Sequence, residues 1–167
     1  MALASDRVHA LLLPVCDRYL LVPSALVAEV GVVQALTPLP LSPPWVLGVM
    51  SWRLQPIVVC DLGRFWGPPA TLGPKSRVAV LYPLPGRAPT EFFAILTNAE
   101  PQSRTIETPS VLLTDEDAVH PYLAVSLDID GKRAGIPDLA ALKELFYDPV
   151  AAKALGRRPG IDGAATA

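Results

Sequence analysis

Charge is what this sequence has least of. Only 18% of its 167 residues are charged, against about 25% in an average soluble domain, and the formal net charge is −2. Nucleic-acid binding needs a clustered basic face, so that class of partner is excluded. Cysteine and histidine are scarce, with two of each. Cys16 and Cys60 stand apart without CxxC spacing and read as small apolar thiols of a reducing compartment. Neither His9 nor His120 has a neighbour at metal-ligand spacing. No GxSxG, GxGxxG or HExxH motif is present. The stretch GPPATLGPKS at 67–76 fails as a phosphate loop, because its spacing is off by one and Pro74 deletes a needed N–H donor. DIDG at 128–131 lacks the third acidic position and the distal Glu of a calcium loop. No cofactor is expected. An enzyme is the second reading, a small cysteine-dependent hydrolase with Cys60 as nucleophile and His120 as base.

Long helices are missing too. Nineteen residues are proline, roughly twice the average usage of about 5%, and they are spread along the chain. Each removes a backbone donor and breaks a helix interior. The mean hydropathy of +0.37 raises the question of a membrane span, and Val30–Trp52 is an uncharged run of sufficient length. Pro38, Pro40, Pro43 and Pro44 fall inside it, and no transmembrane helix survives that density. At the N-terminus, Asp6 and Pro14 are out of place for a signal peptide, so a cytoplasmic protein is expected.

What is present is a series of short apolar runs separated by turn signals, the pattern of an all-β chain. HALLLPV and RYLLVP flank a polar turn at Cys16-Asp17-Arg18. Ser24 either caps one helical turn or leads directly into the strand VAEVGVVQAL. TPLPLSPP reads as an extended, rigid loop, because residues before proline are pushed out of the α region. WVLGVMSWR and LQPIVVCDL form a hairpin turning across Ser51–Leu54. Gly67–Pro74 is the expected internal boundary. RVAVLYPL, EFFAILTNA and RTIETP are further extended pieces, and the acidic stretch Ser110–Pro121 reads as a solvated loop with one helical turn. LAVSLDI and KRAGIP flank Asp130-Gly131, which supplies the positive φ angles of a type I′ turn. PDLAALKELF is the one helix expected, with Pro137 at its edge and Asp138 as cap. The tail beyond it is expected to fray.

The two halves repeat each other weakly. RYLLVP, EVGVVQ and Thr37-Pro38 match EFFAILTNA, RTIE and Thr108-Pro109 in order, and the hairpin ending in Asp61-Leu62 matches the one ending in Asp138-Leu139. Two similar small β-units follow, each closing its own sheet edges.

From Leu26 to Phe65 the sequence resembles the CheW-like family of bacterial chemosensory adaptor domains. The family pattern is a V-x-E-I strand, a proline-bearing loop, G-V-x-N-L-R-G, and an apolar strand ending P-I-V-D-L-R. Here it reads Val27-Ala28-Glu29-Val30, then Gly48-Val49-Met50-Ser51-Trp52-Arg53-Leu54, then Pro56-Ile57-Val58-Val59-Cys60-Asp61-Leu62, without gaps. Leu54 replaces the glycine after the arginine, and Gly63 replaces the arginine after Asp-Leu. The resemblance implies an all-β fold of two five-stranded SH3-like β-barrel subdomains packed together, with a short C-terminal helix. Residues 1–158 would be one domain: a first sub-barrel at roughly 8–30 plus a returning C-terminal segment, a second at roughly 35–135, and a flexible tail at 159–167.

The resemblance also implies a non-catalytic adaptor. It would couple the cytoplasmic tip of a chemoreceptor to the regulatory domain of a histidine kinase, and it would be recruited to membrane-associated arrays through these partners without inserting into the membrane. The tryptophans and the proline-dense loop point to an auxiliary adaptor, as in chemosensory systems for twitching by type IV pili. Another CheW-like protein is a further implied partner, and a freestanding regulator competing with such a subunit is a third reading. The positions tied to coupling are Val27, Glu29, Gly48 and Arg53. Trp52 joins them because Trp and Arg anchor interfaces. Each has a plainer reading: Val27 and Val30 as core, Gly48 as a bulge or close backbone approach, Arg53 as a solvated charge, the tryptophans as core. Asp61 and Asp138 read as turn acceptors. The low charge is expected to leave an apolar surface larger than the chain's own core can use.

Overall fold

A computed structural model describes residues 7–107, 111–114, 122–138 and 140–142. Strand β1 (Val8–Val15) turns at Cys16-Asp17 into β2 (Arg18–Pro23), as the polar break predicts. A single 3-10 turn at Ser24–Leu26, without a side-chain cap from Ser24, leads into β3 (Val27–Val32). The hairpin β4 (Val46–Trp52) and β5 (Gln55–Cys60) turns at Arg53-Leu54. Then come β6 (Arg77–Leu81), β7 (Phe93–Thr97), β8 (Gln102–Ile106), β9 (Val111–Thr114), β10 (Leu123–Ile129) and β11 (Lys132–Pro137).

The strands form two sheets, in the orders β8-β1-β2-β11-β10-β9 and β3-β6-β7-β5-β4. With β9 set aside as an added edge, the two orders are the same pattern. An antiparallel pair (β1-β2, β6-β7) carries a third strand on one side (β8, β3). On the other it pairs in parallel with the second strand of a hairpin (β11, β5). The repeat read in the sequence is therefore real, and its two copies exchange strands. Each sheet takes its central pair from one half of the chain and its outer strands from the other. Corresponding residues do corresponding work. Asp61 N–H donates to the Trp45 carbonyl (2.7 Å) and Asp138 N–H to the Tyr122 carbonyl (2.8 Å). The Asp61 carboxylate accepts from the N–H groups of Gly63 and Ala70, and that of Asp138 from Ala140 and Ala141. Both aspartates are the turn acceptors expected.

The exchange accounts for the apolar content. Along β6, Ala79 and Leu81 enter the cluster between the sheets, beside Leu13, Leu20, Phe93 and Ile95. Val78 and Val80 point the other way, into a second core with Met50, Ile57 and Val59. A third core gathers Ala10, Leu12, Leu21, Leu127 and Ile129. Both faces of the central strands are covered, so they read as continuous apolar runs rather than alternating ones, and β7 is buried at every position. The expectation of a surplus apolar surface is corrected for the described residues: three cores absorb most of their apolar side chains, and the large hydrophobics left exposed among them are few, Leu41 and Leu54 being the most open.

Other expectations change as well. TPLPLSPP is folded back by turns rather than extended: Ser42 Oγ donates to the Leu39 carbonyl (2.8 Å), Val46 N–H donates to Pro43 (3.0 Å), and Leu41 takes a positive φ of 61°. Gly67–Pro74 separates the two copies of the repeat but not the two sheets. It joins β5 to β6 within one sheet, and the Asp61 carboxylate pins it at Ala70. Val111–Thr114, expected in a loop, is strand β9, paired antiparallel with β10, as its apolar, β-prone sequence allows. Residues 140–142 are helical behind Asp138, with Leu142 buried. The remainder of the expected helix and the tail lie outside the described residues, as does His120. No helix among the described residues is long and apolar enough to cross a membrane.

Candidate functional site

Strands β3 and β4 are the two edges of the five-stranded sheet, and three polar side chains clasp them together. Glu29 projects from β3, Trp52 ends β4, and Arg53 opens the β4–β5 turn. Glu29 Oε2 accepts from the Trp52 indole Nε1–H (3.2 Å) and from the Arg53 guanidinium (2.9 Å). The guanidinium also lies 4.6 Å from the centre of the Trp52 ring. The Trp52 ring is buried in the cluster of Ile57, Val80 and Leu96 and packs at a 48° tilt against Phe92, ring centres 4.9 Å apart. Its role is that of a fixed base, and the surface is made by Arg53 and Glu29, whose side chains are 64% and 43% exposed. Beside the clasp a cleft of about 360 Å³ runs between the edges, lined by Gly31, Met50, Ser51, Val78 and Val80.

The structure thus brings Glu29, Trp52 and Arg53 together and leaves the other two expected residues elsewhere. Val27 is half-buried at the start of β3, against the core between the sheets. Gly48 is buried in a bulge of β4 with φ +143°, where a Cβ would collide with the Thr37 carbonyl. The plainer readings fit both positions.

A counterpart of the clasp exists on the other sheet, which sequence reasoning missed. Gln102 of β8 lies opposite Leu12 as Glu29 lies opposite Val80. Its Oε1 accepts from Lys132 Nζ (2.8 Å) beside the Asp130-Gly131 turn, and Lys132 sits 5.3 Å from the Tyr19 ring centre. Both sheets therefore close with a hairpin cation resting on an aromatic ring and held by an outer-strand oxygen. Only the repeat of Asp130-Gly131 after Arg53-Leu54, at the spacing of Asp138 after Asp61, signalled it.

A model described as "CheW-like domain" matches residues 9–145. The chain belongs to the CheW-like family. The scaffolding protein TtCheW from Thermoanaerobacter tengcongensis shares the fold, with a TM-score of 0.66 over 83% of this chain and 89% of that one, at 17% sequence identity. No curated protein matches the sequence. The two sheets are the SH3-like subdomains of a CheW-like domain, and the Glu29–Arg53 clasp closes one of them.

The thiol of the hydrolase reading occupies no comparable surface. Cys60 is fully buried at the end of β5, and burial, with a smaller contribution from the adjacent Asp61 charge, pushes its pKa well above that of an ordinary thiol. A nucleophilic cysteine needs the opposite. Because the folded-state pKa is the higher one, this group's stabilising effect is complete below the pKa of the unfolded thiol and declines as pH rises above it. Native protein treated with iodoacetamide at neutral pH should keep Cys60 unmodified by mass spectrometry and label it only after denaturation. Stoichiometric labelling of Cys60 in the native state would revive the hydrolase.

Proposed function

We propose that this CheW-like protein is a non-catalytic chemosensory adaptor that couples the cytoplasmic tip of a chemoreceptor to the regulatory domain of a histidine kinase. One observation carries the reading. An exposed arginine at a hairpin tip is fixed by a carboxylate from the opposite sheet edge and by a buried indole, which makes it a preorganised cation on a rigid barrel. Ordering a free arginine on binding costs side-chain entropy, and the clasp removes most of that cost beforehand. The residue types that the family ties to coupling stand at Glu29 and Arg53, the exposed members of this group.

The test is capture of the full-length protein from its native cells, followed by mass spectrometry. A chemoreceptor and a multidomain histidine kinase are expected to co-purify, and if receptor genes lie with pilus genes in that organism, the receptor recovered identifies the motility system served. Recovery of a second CheW-like protein with the kinase, and mutually exclusive occupancy in a competition pull-down, would make the protein a competing regulator. Recovery of neither receptor nor kinase would refute the adaptor.

A further inference from the structure

The turn that presents Arg53 has the wrong residue in it for folding. Arg53 and Leu54 have φ values of 47° and 65°, the pair of positive angles of a type I′ hairpin, where Asn-Gly or Asp-Gly is strongly preferred. The corresponding turn of the other sheet follows the rule with Asp130 and Gly131, at 52° and 78°. Leu54 departs from it and gains nothing in return, because its side chain is fully exposed at 101%. An apolar residue is therefore held at a hairpin tip in a strained conformation with no contact inside the chain, next to the cation of the proposed site.

We propose that Leu54 is the apolar anchor and specificity determinant of the Arg53 site, entering a hole between side chains on a helical surface of the chemoreceptor tip. This rests on the adaptor reading above. A single convex leucine fits a partner that offers small concave holes, and four side chains on a helix surface form such a hole. Arg53 narrows the choice further. Its guanidinium has five N–H donors, of which one hydrogen bond, to Glu29, is made among the described residues. The Arg53 side chain is 64% exposed and adjoins Leu54 in the turn, so it selects a hole rimmed by a carboxylate. Strain at the tip and an apolar anchor held ready for a partner are consistent with strained backbone collecting at functional positions.

Leu41 supplies the control. It is also nearly fully exposed at 97% with φ 61°, but it lies in the proline loop, on the rim of a separate cleft lined by Trp45 and Val58, away from the clasp. The experiment titrates the full-length protein with a soluble cytoplasmic helical-hairpin fragment of a chemoreceptor from the same organism, and records thermal melts in parallel. Leu54→Gly is expected to weaken binding about tenfold while raising Tm by about 2–4 °C, because glycine relieves the strain at no loss of packing. Leu54→Met, which keeps an apolar tip, is expected to bind within about threefold of wild type. Leu41→Gly should raise Tm without changing affinity. Unchanged affinity in Leu54→Gly, or equal weakening in Leu41→Gly, overturns the inference. If Arg53→Glu loses binding while Leu54→Gly keeps it, the anchor fails and the adaptor stands; if the wild type itself binds no receptor fragment, both fail.

Discussion

Arg53→Glu is expected to leave the fold standing and to abolish binding to the receptor tip, to the kinase regulatory domain, or to both. The effect on stability is bounded by exposure. Exposed ion pairs contribute about 0.2–1 kcal/mol and exposed cation–π contacts about 0.5–1 kcal/mol, and the pair here is 64% and 43% exposed. Reversing the charge opposite Glu29 brings the total cost to about 2 kcal/mol, a fall in Tm of roughly 4–8 °C. Binding responds on another scale, because like charges placed across an interface cost several kcal/mol, a hundredfold or more in affinity. Glu29→Gln separates the contributions: its side-chain oxygen still accepts from Trp52 and Arg53, so binding should fall much less than in Arg53→Glu. A folded Arg53→Glu variant that assembled normally with both partners would remove the site from the clasp.

The hairpins were legible because turn chemistry and apolar runs coincide. Cys16-Asp17 and Asp130-Gly131 sit between strands that pair as expected. The internal repeat was legible as well, but its exchange of strands was not. A strand buried on both faces has no alternation, and alternation is the signal that assigns a strand to one face and one register. RVAVL and FAILT could therefore be recognised as strands without their sheet being known. The clasp obeys the same limit. The residue types at 29, 52 and 53 are visible in the sequence, yet that Glu29 reaches Trp52 and Arg53 depends on β3 and β4 being opposite edges of one sheet, a non-local fact. Sequence could not tell a Trp52 that touches partners from one that is buried beneath Arg53, because both are ordinary places for tryptophan. The Arg53-Leu54 turn was legible as the break between two strands, but its pair of positive φ angles was not, because it lacks the glycine that normally announces them.

Gly48→Ala is expected to do the reverse of Arg53→Glu, destabilising the protein heavily while sparing the contact surface. At φ +143° an L side chain is strained, at a cost of about 1–3 kcal/mol. The new Cβ would also displace the Thr37 backbone, which exchanges two 2.8 Å hydrogen bonds with Val49 and straps the proline loop onto β4. Each such bond contributes about 1 kcal/mol. The combined loss is about 3–5 kcal/mol, a fall in Tm of roughly 10–15 °C. Well below that lowered transition the folded variant should bind partner within about threefold of wild type, since Arg53 and Leu54 lie at the far end of the hairpin, Glu29 lies on β3, and none of them is bonded to Thr37. A loss below about 1 kcal/mol would mean that the loop yields to the new methyl group and the strap is slack. Wild-type stability with binding gone would make Gly48 a contact residue after all. On the expected outcome Gly48 acts through the fold, by holding the edge strand from which the clasp is hung.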